Sequence, residues 1–469
     1  MKIKQEELLI NNADPFLNCK LDRKKYAEIL TNIVSTYSEG FVIAINNEWG
    51  TGKTTFVKMW QGHLENQGFH TRYFNAWEND FDSNPLVAIM AELKSLTNTG
   101  NKKLFDSLVQ KGAAITKNVL PAVLKSIAMK YIQVDVITDA IENTTKAATE
   151  ILEDEIKNYT SKKEGLIDFK KKLEEFVKKV EGDKPIILII DELDRCRPNY
   201  AVEVLEQIKH FFSVKGIIFV LSIDKEQLGN AIRGVYGSEK INSEEYLRRF
   251  IDLEYNIEPP DAKLYCNYLY DYFQLGHFFE NEHRLKLAEV KNDKDILITV
   301  ASIAFSDSNL TLRQQEKIFA HTRLVLNSFK VNNYVFPSLL IVLIYIRSFH
   351  PDLYRLIKFK QLDYNNLLDR FVKIFPKKIH EDYVYYFTQL EAILIFMYRN
   401  STRDNSNIKF NFFEDGEDGK EFCTIQSRFT SNNRRFEQQL RYFIENWNLS
   451  ETKIEYLISK IDLIEAVIA

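Results

Sequence analysis

Eight consecutive residues, Asn47-Glu48-Trp49-Gly50-Thr51-Gly52-Lys53-Thr54, have the types and spacing that hold a polyphosphate. Gly50 and Gly52 let the backbone approach phosphate oxygens where a Cβ would collide. Successive N–H groups of such a loop can wrap the phosphates, and the N-terminus of a following helix opposes their charge. Lys53 is then the mobile cation for the β and γ phosphates and the Thr54 hydroxyl is a ligand for Mg²⁺, with Thr55 next in the same contact set. The standard pattern opens on Gly, whereas this chain has Asn47 there. Asn is the residue next best able to enter a left-handed conformation, so the loop is expected to survive.

A second cluster is PIILIIDELDRCRP, residues 185–198. Asp191 ends a wholly apolar run, where a carboxylate can hold Mg²⁺ through water beside the loop. Glu192 follows directly, in position to orient or deprotonate an attacking water. Asp194 and Arg195 are expected to pair with each other or to brace the site. An NKxD element that would read guanine is missing, since Asn101-Lys102-Lys103-Leu104 lacks the Asp, so ATP with Mg²⁺ is the expected ligand. No second centre is indicated. Cys19, Cys196, Cys266 and Cys423 lie far apart with no CxxC pair, and the His residues include no HExxH.

These residues need elements to position them. Phe41–Ile45 reads as a short strand before the loop, with a helix from about Lys53 after it. Arg72–Phe74 begins a second strand that ends in Asn75-Ala76-Trp77, Ile186–Ile190 is a third, and Gly216–Ser222 a fourth. Residues 22–38 carry Tyr26, Ile29, Leu30 and Ile33 at helical spacing, and helical patterns run from about Pro85 to Val180. Continuous apolar strands separated by helices indicate an α/β fold, a parallel sheet flanked by helices on both faces.

Residues 101–160 interrupt the alternation, with Lys in the first half and Asp and Glu in the second. They read as an antiparallel helical hairpin whose halves attract, or as a basic amphipathic segment for a membrane surface or partner. After Pro259-Pro260 aromatic-rich helical patterns continue to the end, apart from a polar loop expected at Ser401–Lys420. The division is therefore residues 1–260 as the nucleotide domain, with the insertion at about 101–160, and 261–469 as a mostly α-helical second domain.

Across 469 residues, 45% hydrophobic and 27% charged composition is that of a globular protein, and 16 Gly with 10 Pro favours helices over turn-rich β architecture. A net charge of −4 gives no reason to expect nucleic acid as the main partner. The segment with Arg428, Phe429, Arg434, Arg435, Phe436, Arg441 and Tyr442 is the best support for nucleic acid, and also reads as an amphipathic helix with a solvated basic face. The N-terminus is charged where a signal peptide needs an apolar core, and the longest apolar run, Val335–Ile346, is too short for a bilayer. A cytoplasmic protein without a transmembrane segment is expected.

Taken in order, the WGTGKT loop with Trp49 inside it, FNAW at Phe74–Trp77, DELDRC at Asp191–Cys196, LSID at Leu221–Asp224 and EEYLRRF at Glu244–Phe250 resemble the KAP family of P-loop NTPases. The resemblance covers roughly residues 10–330. It departs at Asn47 for the usual Gly, at Glu192 where Asp is common, and at Arg249 where Lys is frequent. It implies an ATPase core of the class with a catalytic acid beside the Mg²⁺ carboxylate (ASCE-type), and a polar sensor at Ser222 or Asp224. It also implies a helical lid whose basic residue approaches the nucleotide, here Arg313 in Leu312-Arg313-Gln314. Family members often insert transmembrane helices where this chain has 101–160 without them. Bacterial relatives include phage-exclusion and defence proteins, and animal relatives are membrane-associated signalling scaffolds. The expectation is a Mg²⁺-dependent ATPase acting as a conformational switch on a protein partner or on its own assembly, in anti-phage defence or signalling. The alternatives are a nucleotide-gated scaffold with little turnover and a nucleic-acid-stimulated ATPase.

Overall fold

The computed structural model describes residues 9–37, 39–81, 84–112, 145–180, 184–211, 213–238, 240–306, 310–402, 411–415, 421–445 and 451–463, with backbone alone at 145–159, 162 and 211. The chain divides into two compact units between Glu258 and Pro259.

The first unit is built on a five-stranded sheet in the order β2-β3-β4-β1-β5, every pair parallel. Its strands are β1 (Val42–Asn46), β2 (His70–Asn75), β3 (Ile186–Asp191), β4 (Ile217–Ile223) and β5 (Leu253–Asn256). β3 and β4 are buried along their whole length, which their unbroken apolar sequences require of a strand covered on both faces. One face packs Ile43, Ile45, Ile187, Ile189, Ile218 and Val220 against the helices α1 (Lys24–Thr36) and α2 (Lys53–Asn66). The other packs Ile186, Leu188, Ile190, Phe219 and Leu221 against the helices Pro85–Lys94, Thr145–Val180 and Pro198–Phe211. On α1 the buried stripe is Ala27, Leu30, Thr31 and Val34, while Ile29 faces solvent. β5, absent from the sequence reading, is short and alternates between half-buried and exposed residues because it lies at the sheet edge.

The insertion starts later than its charge pattern suggests. Residues 102–112 are helical, and Phe105 and Leu108 are buried in the same cluster as Phe169, Leu173 and Phe176. Phe105 and Phe176 meet at 5.4 Å between ring centroids, and Lys111 pairs with Asp168 at 2.8 Å. This stretch therefore completes the core beside the sheet rather than standing apart from it. The remainder of the expected charge-complementary hairpin at 113–144 lies outside the described residues.

The second unit is mainly helical. Its helix Pro337–Phe349 is buried from Pro337 to Ile346, so the longest apolar run of the chain is a core helix. Among the described residues no helix is long and apolar enough to cross a membrane. An antiparallel pair of short strands, Phe413–Asp415 and Glu421–Cys423, begins inside the stretch expected to be a loop. Arg428 is held by Asp369 at 2.6 Å, Arg441 pairs with Glu421 at 2.7 Å, and Phe429 stacks edgewise on Phe375. With Phe436, Leu440 and Phe443 turned inward, this segment uses much of its Arg and aromatic content within the unit itself.

Candidate active site

β1 ends at Asn46 and α2 begins at Lys53, so the six residues between them form the loop. Gly50 and Gly52 have φ of +82° and +83°, a region that side chains with a Cβ enter only under strain. Asn47 does not take the left-handed conformation expected of it. Its side chain instead exchanges two hydrogen bonds with the Ile257 backbone, donating to the carbonyl and accepting from the N–H, each at 2.9 Å. The carboxamide thus acts as an extra rung that ties the loop's start to the segment just after β5. Thr51 Oγ1 donates to the Glu48 carbonyl at 2.8 Å, which closes the loop on itself.

Lys53 is buried, and its Nζ donates back to the carbonyls of Asn47 at 2.5 Å and Glu48 at 3.0 Å. Burial lowers its pKa, against the attraction of Asp194, Asp224 and Asp191 around it. A lysine surrounded by three carboxylates and two carbonyls is a cation that a polyphosphate can compete for. Thr54 and Thr55 follow on the first turn of α2, Thr54 half-buried and Thr55 exposed.

In the sheet, Asn75, Asp191 and Ser222 are register partners across β2, β3 and β4. Partners in a parallel sheet share a face, and Asp191 and Ser222 continue the α2-facing rows Ile187-Ile189 and Ile218-Val220. Asp191 Oδ2 accepts from the Tyr73 hydroxyl at 2.9 Å, and its Oδ1 accepts from the Glu192 N–H at 3.0 Å. The Ser222 hydroxyl is fully buried and has no hydrogen-bond partner. Asp224 is committed elsewhere, since its carboxylate caps the helix Lys225–Tyr236 by accepting from the N–H groups of Glu226 and Gln227. Of the two sensor candidates, Ser222 is the one whose polar atom is fully buried without a partner.

Glu192 follows β3 with φ +60°. Arg195 Nη1 meets its Oε1 at 2.6 Å, and Asn75 Nδ2 donates to its Oε2 at 3.3 Å. Burial raises its pKa, Arg195 opposes the shift, and Asp191 adds to it. Asp194 and Arg195 are not a pair with each other. The single 3₁₀ turn Leu193–Arg195 brings Arg195 back onto Glu192, while Asp194 accepts from the indole N–H of Trp49 in the loop. The Arg195 guanidinium also lies over the Trp77 ring at 5.6 Å.

Arg313 belongs to the helical unit, on the first turn of Leu312–Leu326, which Thr311 and Gln314 cap reciprocally. Four residues join the site that motif reading did not select: Tyr73, Asn75 and Trp77 through the contacts above, and Arg23, which donates to the Thr51 and Gly52 carbonyls. Asn75 and Trp77 were visible as part of FNAW, but their contacts depend on which strand lies beside β2. Among the described residues no group of three or more His, Cys, Asp or Glu is placed to hold a metal by itself.

Solved structures that align with the chain include the Aeropyrum pernix ORC2 protein in ADPNP–ADP complexes, at 13% identity and a TM-score of 0.33, covering 90% of this chain and 94% of that one. C. elegans PCH-2 aligns at 11% identity and a TM-score of 0.26 over 66% of this chain and 70% of that one. A DNA replication initiation factor aligns at 12% identity and a TM-score of 0.26 over 82% and 96%. No curated protein matches the chain. The profile of the KAP family P-loop domain matches residues 23–321, well over half of the sequence and all of the loop and strand-end geometry above. The chain is a member of the KAP family of P-loop NTPases.

Proposed function

We propose that the protein is a Mg²⁺-dependent ATPase whose nucleotide state controls a protein partner or its own assembly in the cytoplasm, in bacterial anti-phage defence or signalling. The observation that carries the ATPase reading is Lys53 lying among Asp194, Asp224 and Asp191 at a loop with two left-handed glycines, with Glu192 next to Asp191. The Thr54 hydroxyl and Asp191 carboxylate would hold Mg²⁺, an oxygen-only donor set that suits a hard cation. When bound, that ion neutralises charge on the β and γ oxygens. Lys53 exchanges its two carbonyl acceptors for phosphate oxygens, and the unpartnered Ser222 hydroxyl supplies a polar contact beside Asp191. Arg313 is the residue proposed to reach the nucleotide from the helical lid. Glu192 accepts the proton of the attacking water once Arg195 and Asn75 release it. In the switch reading, the Arg195 and Asn75 contacts are the ones Glu192 gives up when nucleotide binds. The defence role rests on kinship within the family alone.

Glu192→Gln separates binding from hydrolysis. The variant is expected to bind Mg·ATP like the parent and to turn it over about 10²–10⁴-fold more slowly. Equal turnover in both proteins would remove Glu192 from the base role and make Asp194 the residue to test. Particle mass and co-purified partners are measured in parallel, for Glu192→Gln with ATP and for the parent with ADP. The same mass and partners in both would overturn the switch.

A further inference from the structure

Arg23 stands immediately before α1 and is only 5% exposed. Its guanidinium donates from Nη2 to the Thr51 carbonyl at 2.8 Å and from Nη1 to the Gly52 carbonyl at 3.1 Å. These carbonyls belong to the peptide units that carry the N–H groups of Gly52 and Lys53. In a trans peptide the C=O and N–H point in opposite directions, and among the described residues no peptide is cis. A fork that draws both carbonyls to the outside of the loop therefore turns the Gly52 and Lys53 N–H groups inward, where a nest of amides binds phosphate. The left-handed φ of +83° at Gly52 brings the successive carbonyls within reach of one planar group. A Cβ on Gly52 would come within 3.0 Å of Arg23 Nη1, so the glycine and the guanidinium fit each other closely. The Gly52 carbonyl also accepts from the Phe56 N–H at 3.1 Å, which places the guanidinium at the N-terminus of α2. A cation there opposes the helix dipole, and a polyphosphate in the loop reverses that balance. A lysine could supply the charge but not two donors in one plane.

We propose that Arg23 is a positioning residue for nucleotide binding, presetting the Gly52 and Lys53 amides and adding a fixed positive charge behind the loop. The proposal rests on the nucleotide-site reading above. Calorimetric titration of the full chain with Mg·ATP and Mg·ADP compares the parent with Arg23→Lys, Arg23→Gln and, as the control for the site itself, Lys53→Ala. Unfolding midpoints are measured without nucleotide. Arg23→Lys is expected to weaken both nucleotides by about tenfold, and Arg23→Gln by more. A purely structural arginine would lower the unfolding midpoint and the titrated fraction of binding sites, and leave the Kd of that fraction unchanged. A Kd within about twofold of the parent's in either folded variant, with Lys53→Ala defective, overturns the role of Arg23 alone. Parent-like ATP affinity in Lys53→Ala overturns the site reading beneath it. Failure of both Arg23 variants to fold assigns the residue to the fold and overturns the proposal too.

Discussion

Glu192 is held in a conformation that costs a non-glycine residue roughly 1–2 kcal/mol, with its carboxylate shared between Arg195 and Asn75. The backbone turn that follows β3 returns Arg195 to Glu192 within one 3₁₀ turn, and β2 beside β3 supplies Asn75. Burial raises the Glu192 pKa while Arg195 lowers it, so deleting the cation leaves burial and Asp191 opposed only by the smaller effect of the Asn75 hydrogen bond. In the proposed mechanism hydrolysis needs the deprotonated acid and fails below its pKa. Arg195→Ala should therefore move the acidic limb of the kcat/KM–pH profile, which reports the free protein, to higher pH, and an unmoved or lower limb would show that Arg195 does not govern Glu192. Tyr73→Phe tests the neighbouring carboxylate. Loss of the 2.9 Å bond to Asp191 removes a donor that orients the proposed Mg²⁺ ligand. The expected result is a higher Mg²⁺ requirement, by up to about tenfold, with the same maximal rate at saturating Mg²⁺; an unchanged requirement would sink the assignment.

The elements that hold these residues draw on a core that extends past the sheet's own helices. The stretch at 102–112 carries part of the basic half of a charge pattern, yet Leu108 is fully buried with Phe169 and Phe176. Leu108→Ala should destabilise the first unit by about 2–5 kcal/mol, the range for emptying a buried leucine site. Val109, the next residue, is exposed, and Val109→Ala should stay within about 0.5 kcal/mol of the parent. Denaturant midpoints of the two variants decide the matter, and equal midpoints would show that this segment is dispensable to the core. A deletion that began at residue 101 would remove these contacts together with the insertion.

Across the whole molecule the two units carry separate cores, and the helical one contains a titratable group that the active-site chemistry does not use. Glu391 is buried on the helix Glu381–Thr402, accepting from Ser427 Oγ at 2.5 Å and from the Arg428 N–H at 2.8 Å. Burial pushes its pKa up to about 7, against the lowering effect of those two bonds and of the Arg428 charge. A carboxyl with a raised folded pKa binds its proton more tightly folded than unfolded. Its contribution to stability is therefore fully present below the ordinary carboxylate range and is lost as pH rises through about 7. Relative to Glu391→Gln, which cannot ionise, the parent should lose on the order of 1–3 kcal/mol between about pH 5 and about pH 8. Denaturant unfolding of both proteins across that range measures the difference, and a constant gap between them would rule the effect out.

The loop from Asn47 to Thr54 and the pair Asp191-Glu192 were legible in the sequence because their chemistry lies in adjacent residues of one strand–loop–helix or strand–turn unit. Backbone amides, glycine conformations and a lysine on the next helical turn depend on neighbours a few positions away, and periodicity alone places the strand before them. The fold class was legible for the same reason, since unbroken apolar runs such as IILII admit few environments other than a sheet covered on both faces. Tertiary structure decided everything that crosses between elements. Ser222 shares a row with Asp191, and Tyr73 and Asn75 reach the two acids, only because β2 and β4 flank β3 in register. Asn47 serves as a rung onto Ile257 rather than as a left-handed opener because the chain passes along that edge 210 residues later. Leu108 enters the core, and Arg23 the back of the loop, through contacts that no local pattern encodes. Sequence spacing determines which face a side chain takes within its own element, whereas strand order and long-range closure determine what that face meets.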